Sequence, residues 1–226
     1  MRPSDLLAEG IGQLAVPHPE QVKSLLSGFL AELDRWNPTY GFVKASAEDL
    51  VIRHVLDSLS AWKTIDELAR QGPMEAEGVL DVGSGSGFPG IPLAAALPGI
   101  RFTLLERSAR KASFLKTCAI LLGLRNVAVR EAALSQVTGG FAVLTFRAVA
   151  PLDRLLREAS RAALRFDWLA AYKGRMDRTR EEIASVPGAV AEGFEFSVRP
   201  LAVPHLDAER CLLIARAKRP APSGGA

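Results

Sequence analysis

The segment from Val79 to Gly90 limits what this chain can fold into more than any other part of the sequence. It reads Val-Leu-Asp-Val-Gly-Ser-Gly-Ser-Gly-Phe-Pro-Gly, so an apolar strand leads through alternating glycines into a helix start. Glycine lacks the Cβ atom that would hold a ligand away from the backbone, and it tolerates a positive φ. The following helix presents free N–H groups above the loop. This order predicts a nucleotide-like ligand at the carboxyl edge of a parallel sheet.

Short apolar strands and helical stretches alternate after Gly78. Strands are predicted at 78–82, 101–106, 126–130, 141–146 and 168–172, and the clearest helix between them covers 108–122. Two more strands, at 192–199 and 209–217, have no long helix between them, which predicts an antiparallel pair at the sheet edge. The sequence therefore predicts an α/β protein with the Rossmann-like fold of class I methyltransferases. Its seven-stranded sheet would be mostly parallel, with an antiparallel closing strand.

The chain before the glycine loop has a helical pattern instead. A helix is predicted from Pro19, with Pro38 and Gly41 breaking it, and a second helix is predicted from about Ala47 to Ala69. We expect a helical extension over residues 1–77, a cofactor-binding domain over 78–218, and a disordered tail over 219–226.

Two acidic residues suggest which ligand the loop binds. Asp81 ends the strand before the loop, where it would repel a pyrophosphate but attract the ammonium and sulfonium groups of S-adenosylmethionine. Glu106 ends the next strand, where a carboxylate can accept both hydroxyls of an adenosine ribose. The overlap of 85–90 with the G-x-G-x-x-G pattern keeps a nicotinamide dinucleotide open. Asp81 is the one feature that discriminates between the dinucleotide and S-adenosylmethionine, and it favours the second. S-adenosylmethionine is therefore the predicted cofactor.

Charge is distributed unevenly along the chain. Residues 1–77 carry 7 basic and 12 acidic side chains (net −5), and the remainder carries 21 and 13 (net +8). A basic face beside a cofactor site indicates a polyanionic substrate, most often a nucleic acid. The basic residues of the sheet-forming part cluster at Arg101, Arg107, Arg110, Lys111, Lys116, Arg125 and Arg130, and again at Arg210, Arg216, Lys218 and Arg219.

Other features exclude several classes of protein. The first residues lack the apolar run of a secretory signal, and no apolar run approaches membrane-spanning length, so we expect a cytoplasmic protein without membrane contact. Cys118 and Cys211 lie far apart, and His18 and His205 have no partners at ligand spacing. A metal site is therefore not expected.

Several motifs together resemble the bacterial 16S rRNA (guanine-N7) methyltransferase G family, also called the glucose-inhibited division protein B family. The resemblance covers nearly everything from Trp36 to Lys218. It implies S-adenosylmethionine-dependent methylation of N7 of a guanine in a 16S rRNA hairpin near the decoding centre. The implied partner is 16S rRNA or the 30S subunit, and we expect a monomer. The motifs are Trp36-Asn37, Arg53 to Leu59, Asp81 to Pro92, Arg147 to Leu152, Tyr172 to Gly174, and Glu209-Arg210.

The resemblance also implies roles for individual residues of the cofactor site. Gly83 and Phe88 would contact the cofactor from the loop, with Glu106 on the ribose. Gly85, from the glycine pattern, and Asp81, from its charge, complete the predicted cofactor contacts of the loop. Leu134 and Ser135 would lie along the adenine, and Arg147 would form the floor of the pocket. This chain departs from the family pattern at Ser135 and Ala142, where the family often has acids. It also departs at 41–43, where this chain has Gly-Phe-Val and the family has Asn-Leu-Thr.

Guanine N7 carries an exposed lone pair, so its methylation needs neither a general base nor a nucleophilic cysteine. Arg147 and Lys173 follow strands at the carboxyl edge and are the candidates for gripping the substrate, as catalytic residues. His54 and Asp57 lie three apart on one helix face and are candidate substrate contacts. A helix that simply packs on the sheet would explain the same pair.

Three other functions remain open from the residues alone. They are a nicotinamide-dependent oxidoreductase, a non-catalytic RNA-binding module on the same fold, and a methyltransferase for small molecules. Asp81 and the closing strand pair disfavour the first. The intact glycines with Glu106 disfavour the second, and the basic sheet domain disfavours the third.

Overall fold

Seven strands form one sheet in the computed structural model, which describes residues 1–71, 78–162 and 164–218. The predicted disordered tail at 219–226 lies outside these residues. Each described strand overlaps one of the seven strands predicted from the sequence. The strands are β1 (Val79–Val82), β2 (Phe102–Glu106), β3 (Val127–Glu131), β4 (Gly139–Arg147), β5 (Leu164–Lys173), β6 (Phe194–Leu201) and β7 (Arg210–Ala217).

The strand order is β3-β2-β1-β4-β5-β7-β6, and β7 is antiparallel to both of its neighbours. The predicted antiparallel pair is confirmed, and β7 inserts between β5 and β6 so that β6 forms the edge. The other neighbouring strands pair in parallel, in the register Val79↔Phe102 and Val79↔Val143. The carboxyl ends of β1, β2 and β4 therefore meet at one edge of the sheet, on either side of the reversal in strand order.

Helices cover both faces of the sheet. The described helices are α1 (Pro3–Gln13), α2 (Pro19–Tyr40), α3 (Ala47–Asp49), α4 (Asp57–Leu59), α5 (Trp62–Gln71), α6 (Gly90–Ala96), α7 (Ala109–Leu121), α8 (Leu152–Arg161), α9 (Met176–Ala184) and α10 (Gly188–Ala191). A π-helical segment (Leu50–Leu56) joins α3 to α4, and a 3-10 turn (Leu134–Gln136) follows β3. None of the helices in the described ranges is both long and apolar enough to cross a lipid bilayer.

Two predictions for the N-terminal helices are wrong in detail. Pro38 does not break α2, since it removes one amide donor while the bond from Gly41 N to Asn37 O (2.8 Å) keeps the last turn closed. Gly41, with φ +60°, ends the helix. The predicted single helix from 47 to 69 is interrupted after α4, where the Ser60 hydroxyl donates to Asp57 O (2.7 Å) and competes with helical bonding.

The N-terminal helices share their apolar core with one face of the sheet. Leu26 and Phe29 of α2 and Val55 of the π-helical segment are fully buried in the same cluster as Val79 and Leu104. A second buried cluster on the other face joins α8 and the 3-10 turn to the sheet. This packing fixes the π-helical segment above the carboxyl end of β4.

Candidate cofactor and substrate site

The glycine loop after β1 has a backbone that only glycine adopts easily. Gly83, Gly85 and Gly87 have φ values of +68°, +58° and +97°. A Cβ atom on Gly83 would lie 2.9 Å from Val149 Cγ2. A Cβ atom on Gly85 would meet only the Gly83 carbonyl oxygen, at 3.7 Å. The loop therefore leaves open space above its own backbone at Gly85.

Asp81 lies fully buried beneath this loop. Its Oδ2 accepts a hydrogen bond from Gly90 N (3.1 Å), at the start of α6. Gly90 must be glycine here, because a Cβ atom would lie 2.5 Å from that oxygen. Asp81 Oδ1 has no hydrogen-bond partner among the described residues. Burial raises the pKa of Asp81 to about 7, and the bonds from Ser84 and Gly90 only partly oppose this rise.

Glu106 closes the loop from the end of β2. Its Oε2 accepts a hydrogen bond from Gly85 N (2.9 Å), and its Oε1 accepts one from Ser108 N (2.9 Å). Each carboxylate oxygen has a second lone pair, so both keep the capacity to accept a hydroxyl. Glu106, the residue predicted to bind the ribose, is thus hydrogen-bonded to the loop predicted to bind the cofactor.

Arg147, at the end of β4, reaches across to the N-terminal helices. Its Nη1 donates to Arg53 O (3.0 Å) and to Asp57 Oδ2 (3.1 Å). Its Nη2 lies 2.6 Å from His54 Nδ1. Three of the residues predicted for the site, His54, Asp57 and Arg147, therefore meet in one place although they lie about 90 positions apart in the sequence.

Two more side chains complete this group. Arg210 Nε lies 3.3 Å from Asp57 Oδ1. The guanidinium of Arg147 also lies over the ring of Phe88, 5.4 Å from its centroid, which ties the group to the glycine loop. We call His54, Asp57, Phe88, Arg147 and Arg210 the arginine cluster. The Arg210 contribution was missed in the site prediction, although Glu209-Arg210 was among the motifs that carried the family resemblance.

The environment of the arginine cluster sets the protonation of its members. Burial, and then the charge of Arg147, lower the pKa of His54 to about 4, so this imidazole is neutral at pH 7. Its Nδ1 therefore accepts a hydrogen bond from Arg147 Nη2, and the single ring proton of the neutral imidazole lies on Nε2. Burial raises the pKa of Asp57 even though Arg147 and Arg210 both act to lower it. The buried Tyr172 hydroxyl, whose pKa burial also raises, donates to Ser58 O (2.6 Å) below the cluster.

Lys173 occupies the same sheet edge but the opposite face. Its Nζ lies 2.7 Å from Glu182 Oε2 on α9, and Glu182 Oε1 accepts from Leu152 N (3.0 Å) at the start of α8. The structure therefore does not bring Lys173 together with Arg147, the other residue predicted to grip the substrate. In this arrangement Lys173 links β5 to the helices of the second face.

The two residues predicted along the adenine follow β3. Leu134 is buried and Ser135 is exposed, both in the 3-10 turn. Ala142 lies at the other end of the sheet, where its N–H donates to Gly78 O (2.9 Å) ahead of β1. The departure from the family pattern at Ala142 therefore lies away from the cofactor edge. Among the described residues, no three His, Cys, Asp or Glu side chains converge in a group that could hold a metal ion.

Comparison with known families decides the family to which this chain belongs. The family model described as rRNA small subunit methyltransferase G matches residues 22–209. This chain belongs to the rRNA small subunit methyltransferase G family. Ribosomal RNA small subunit methyltransferase G of Halorhodospira halophila is 40% identical over 178 residues, 77% of this chain and 79% of that protein. The protein of the same name from Ralstonia nicotianae is 37% identical and covers 92% of both chains.

Solved structures with the same fold are much more distant in sequence. Magnesium protoporphyrin IX methyltransferase (ChlM) from Synechocystis PCC 6803, with bound SAM, aligns with a TM-score of 0.53 at 19% identity, over 82% of this chain and 91% of that one. A METTL16 methyltransferase domain aligns with a TM-score of 0.54 at 14% identity, over 83% and 94%. These likenesses confirm the predicted class I methyltransferase fold. The oxidoreductase and binding-only alternatives are not favoured.

The methyltransferase G family uses S-adenosylmethionine, and the residues of this chain fit that cofactor. The buried Asp81 Oδ1 has no hydrogen-bond partner within the described ranges, and a cationic group of the cofactor can become that partner. The open backbone at Gly85 and the remaining lone pairs of Glu106 suit an adenosine ribose. The roles of the individual site residues remain predictions.

Proposed function

We propose that this chain transfers a methyl group from S-adenosylmethionine to N7 of a guanine in a 16S rRNA hairpin near the decoding centre. Its partner would be 16S rRNA or the 30S subunit in the cytoplasm, and the chain would act as a monomer. The observation that carries the proposal is the buried Asp81 oxygen beneath an open glycine loop, which no described residue partners, in a chain of this family.

The cofactor would be held from three sides. Asp81 would attract its positive charge, Gly83 and Gly85 would admit it to the backbone, and Glu106 would accept from its ribose. Leu134 and Ser135 would border the adenine, and Phe88 would contact the cofactor from the glycine loop. When bound, S-adenosylmethionine supplies an electrophilic methyl group attached to a positively charged sulfur. The protein then contributes alignment, which supplies up to roughly 7–11 kcal/mol of the barrier at the favourable limit.

The site needs no general base for this reaction. The N7 lone pair is free to attack, and the neutral His54 and the paired Asp57 are both committed to Arg147. Cys118 and Cys211 are buried and take no part. Two guanidinium groups face one carboxylate in the arginine cluster, so its local excess of positive charge suits guanine O6 or a phosphate.

The test is transfer of labelled methyl from S-adenosylmethionine to 30S subunits that lack the modification, followed by mapping of the labelled nucleotide. We expect label at N7 of a single guanine in the decoding-region hairpin. Label on another RNA or another ring atom would overturn the proposed substrate while leaving the cofactor assignment intact. Absence of label, with measurable cofactor binding, would overturn the proposed reaction on this RNA.

A further inference from the structure

An exposed stack of planar side chains lies where α2 ends. Tyr40, 40% exposed, stacks on Phe42 with ring centroids 5.5 Å apart and an interplanar angle of 16°. The guanidinium carbon of Arg110, an exposed residue of α7, lies 5.3 Å from the centroid of the Tyr40 ring. We call Tyr40, Phe42 and Arg110 the aromatic platform. Among the residues that the structure describes, Tyr40 is the one exposed Phe, Tyr or Trp side chain, so the platform stands out on the surface.

The protein holds the aromatic platform in place from behind. The side chain of Asn37 brackets the loop by donating to Val43 O (2.7 Å) and accepting from Val43 N (2.9 Å). Trp36, whose ring centroid lies 5.3 Å from that of Tyr40, is fixed by a bond from its Nε1 to Glu32 (2.8 Å). The Trp36-Asn37 motif thus builds a rigid support, and a rigid aromatic surface binds with little loss of conformational entropy.

The aromatic platform lies at the cofactor edge of the sheet. Arg110 is in the first turn of α7, which begins just after β2. Ser108 N, at the start of that helix, donates to Glu106 Oε1 (2.9 Å). A substrate that brings a nucleotide to the glycine loop therefore approaches the face that carries Tyr40 and Arg110.

The chemistry of the aromatic platform suits unpaired RNA. Nucleobases splayed out of a loop stack on aromatic rings and on guanidinium planes, whatever their sequence. In the part of the chain that the structure describes, no carboxylate forms an ion pair with Arg110, so its N–H groups are available to a phosphate. Two more exposed basic residues lie close in sequence to the platform and add positive charge: Lys44, two positions after Phe42, and Arg107, three positions before Arg110.

We propose that the aromatic platform binds an unpaired base of the RNA substrate close to the target guanine. The base stacks on the exposed Tyr40–Arg110 pair, and Arg110 also contacts the phosphate backbone. This inference rests on the proposed function, since it takes the substrate to be an RNA hairpin. It adds a contact that the cofactor pocket and the arginine cluster do not supply.

The experiment compares Tyr40→Leu, Arg110→Ala and Arg110→Lys with the wild-type protein. Tyr40→Leu keeps the apolar contact with Trp36 and Phe42 but removes the aromatic face. Arg125→Ala is the matched control. The sequence groups Arg125 with the basic cluster, but the structure places this exposed residue between α7 and β3, at the amino edge of the sheet and opposite the cofactor edge. Binding of a fluorescent decoding-region hairpin RNA is measured by anisotropy at several salt concentrations, and S-adenosylmethionine binding by calorimetry.

We expect Tyr40→Leu and Arg110→Ala to raise the Kd for the hairpin about tenfold, the size of one lost base stack. Cofactor affinity and melting temperature should not change, and Arg125→Ala should bind RNA as the wild type does. Arg110→Ala should also reduce the slope of log K against log salt by about 0.7, because one phosphate contact is lost. Arg110→Lys should keep the salt dependence of the wild type, because the positive charge stays. It should still lose affinity, because the planar guanidinium that stacks on a base is lost.

Equal RNA affinity in Tyr40→Leu and the wild type would overturn the aromatic platform. So would an equal loss in Arg125→Ala, because charge alone would then explain the effect. If the hairpin binds and the variants weaken it while no label reaches the 30S subunit, the platform stands and the proposed reaction fails. If the wild type binds no hairpin RNA, the platform is overturned together with the RNA substrate.

Discussion

Asp81 and Glu106 are both carboxylates at strand ends, but their surroundings differ. Each oxygen of Glu106 already accepts a backbone N–H. Asp81 is fully buried, one of its oxygens has no partner in the part of the chain that the structure describes, and its pKa is raised to about 7. Asp81 is therefore the residue of the pocket whose charge should depend on the ligand.

Cofactor affinity should consequently depend on pH through Asp81. Below pH 7 the free carboxyl is protonated, and binding of a cation must release that proton. The Kd for S-adenosylmethionine should therefore fall about tenfold per pH unit from pH 5 towards 7 and level off above it. Calorimetry across this range measures the effect. S-adenosylhomocysteine, which lacks the positive sulfur, is the ligand control and should show a shallower dependence.

The same residue affects the stability of the free protein. Its folded pKa is raised, so its stabilising contribution is complete below pH 3.8, the usual value, and is lost as the pH rises through about 7. Asp81→Asn should remove this pH-dependent loss of stability. It should also flatten the pH dependence of cofactor binding and lower the affinity for S-adenosylmethionine. An unchanged pH profile in Asp81→Asn would show that another group is responsible.

Gly83 should tolerate no side chain. With φ +68° and Val149 Cγ2 at 2.9 Å from a built Cβ, Gly83→Ala strains the loop, and Gly83→Asp adds charge above Asp81. Calorimetry should show weaker S-adenosylmethionine binding in Gly83→Ala and none in Gly83→Asp. Gly99→Asp is the control, because a Cβ there meets no atom within 4 Å. Wild-type affinity in Gly83→Asp would place the cofactor elsewhere.

At the scale of elements, the sequence predicted the sheet far better than the N-terminal helices. Apolar strands and helical stretches carry their own periodicity, so β1, β2 and α7 were found close to their observed bounds. The π-helical winding of Leu50–Leu56 has no such local signal. One of its carbonyls, Arg53 O, accepts from Arg147, 94 positions away, and a local pattern does not record a contact of that range.

Arg147 should stabilise the fold as well as face the substrate. Its removal leaves the buried Asp57 with Arg210 alone, so Arg147→Ala should lower the free energy of unfolding by about 3 kcal/mol, measured by urea denaturation. The double variant Arg147→Ala/Asp57→Asn should recover at least about 1 kcal/mol of this loss. Methyl transfer should stay low in both variants. Activity that returns together with stability would show that Arg147 acts only through the fold.

At the scale of the whole molecule, the sequence predicted the substrate residues at the carboxyl edge of the sheet but did not assign them to one of its two faces. Arg147 and Lys173 both end strands, and strand position alone made them equivalent. Arg147 meets the N-terminal helices, whereas Lys173 pairs with Glu182 on the other face. The side to which a strand-end residue turns depends on which helices cover each face, and that follows from tertiary packing.

The same packing predicts that the N-terminal helices unfold as one cooperative unit with the sheet, whereas the sequence suggests an extension over 1–77 beside a domain over 78–218. Leu26, Phe29 and Val55 share a buried cluster with Val79 and Leu104, so the helices cannot leave without exposing a sheet face.

The three tryptophans test this cooperativity, because Trp36 and Trp62 lie in helices and Trp168 lies in β5. Two variants divide them: Trp168→Phe reports the helices, and Trp36→Phe/Trp62→Phe reports the sheet. Within each variant, the urea midpoint from fluorescence should equal that from far-UV circular dichroism, since any cost of the substitution shifts both probes together. A fluorescence transition that precedes the dichroism transition in Trp168→Phe, and follows it in the other variant, would show that the helices unfold on their own. Residues 1–77 would then be a separate domain, docked on the sheet.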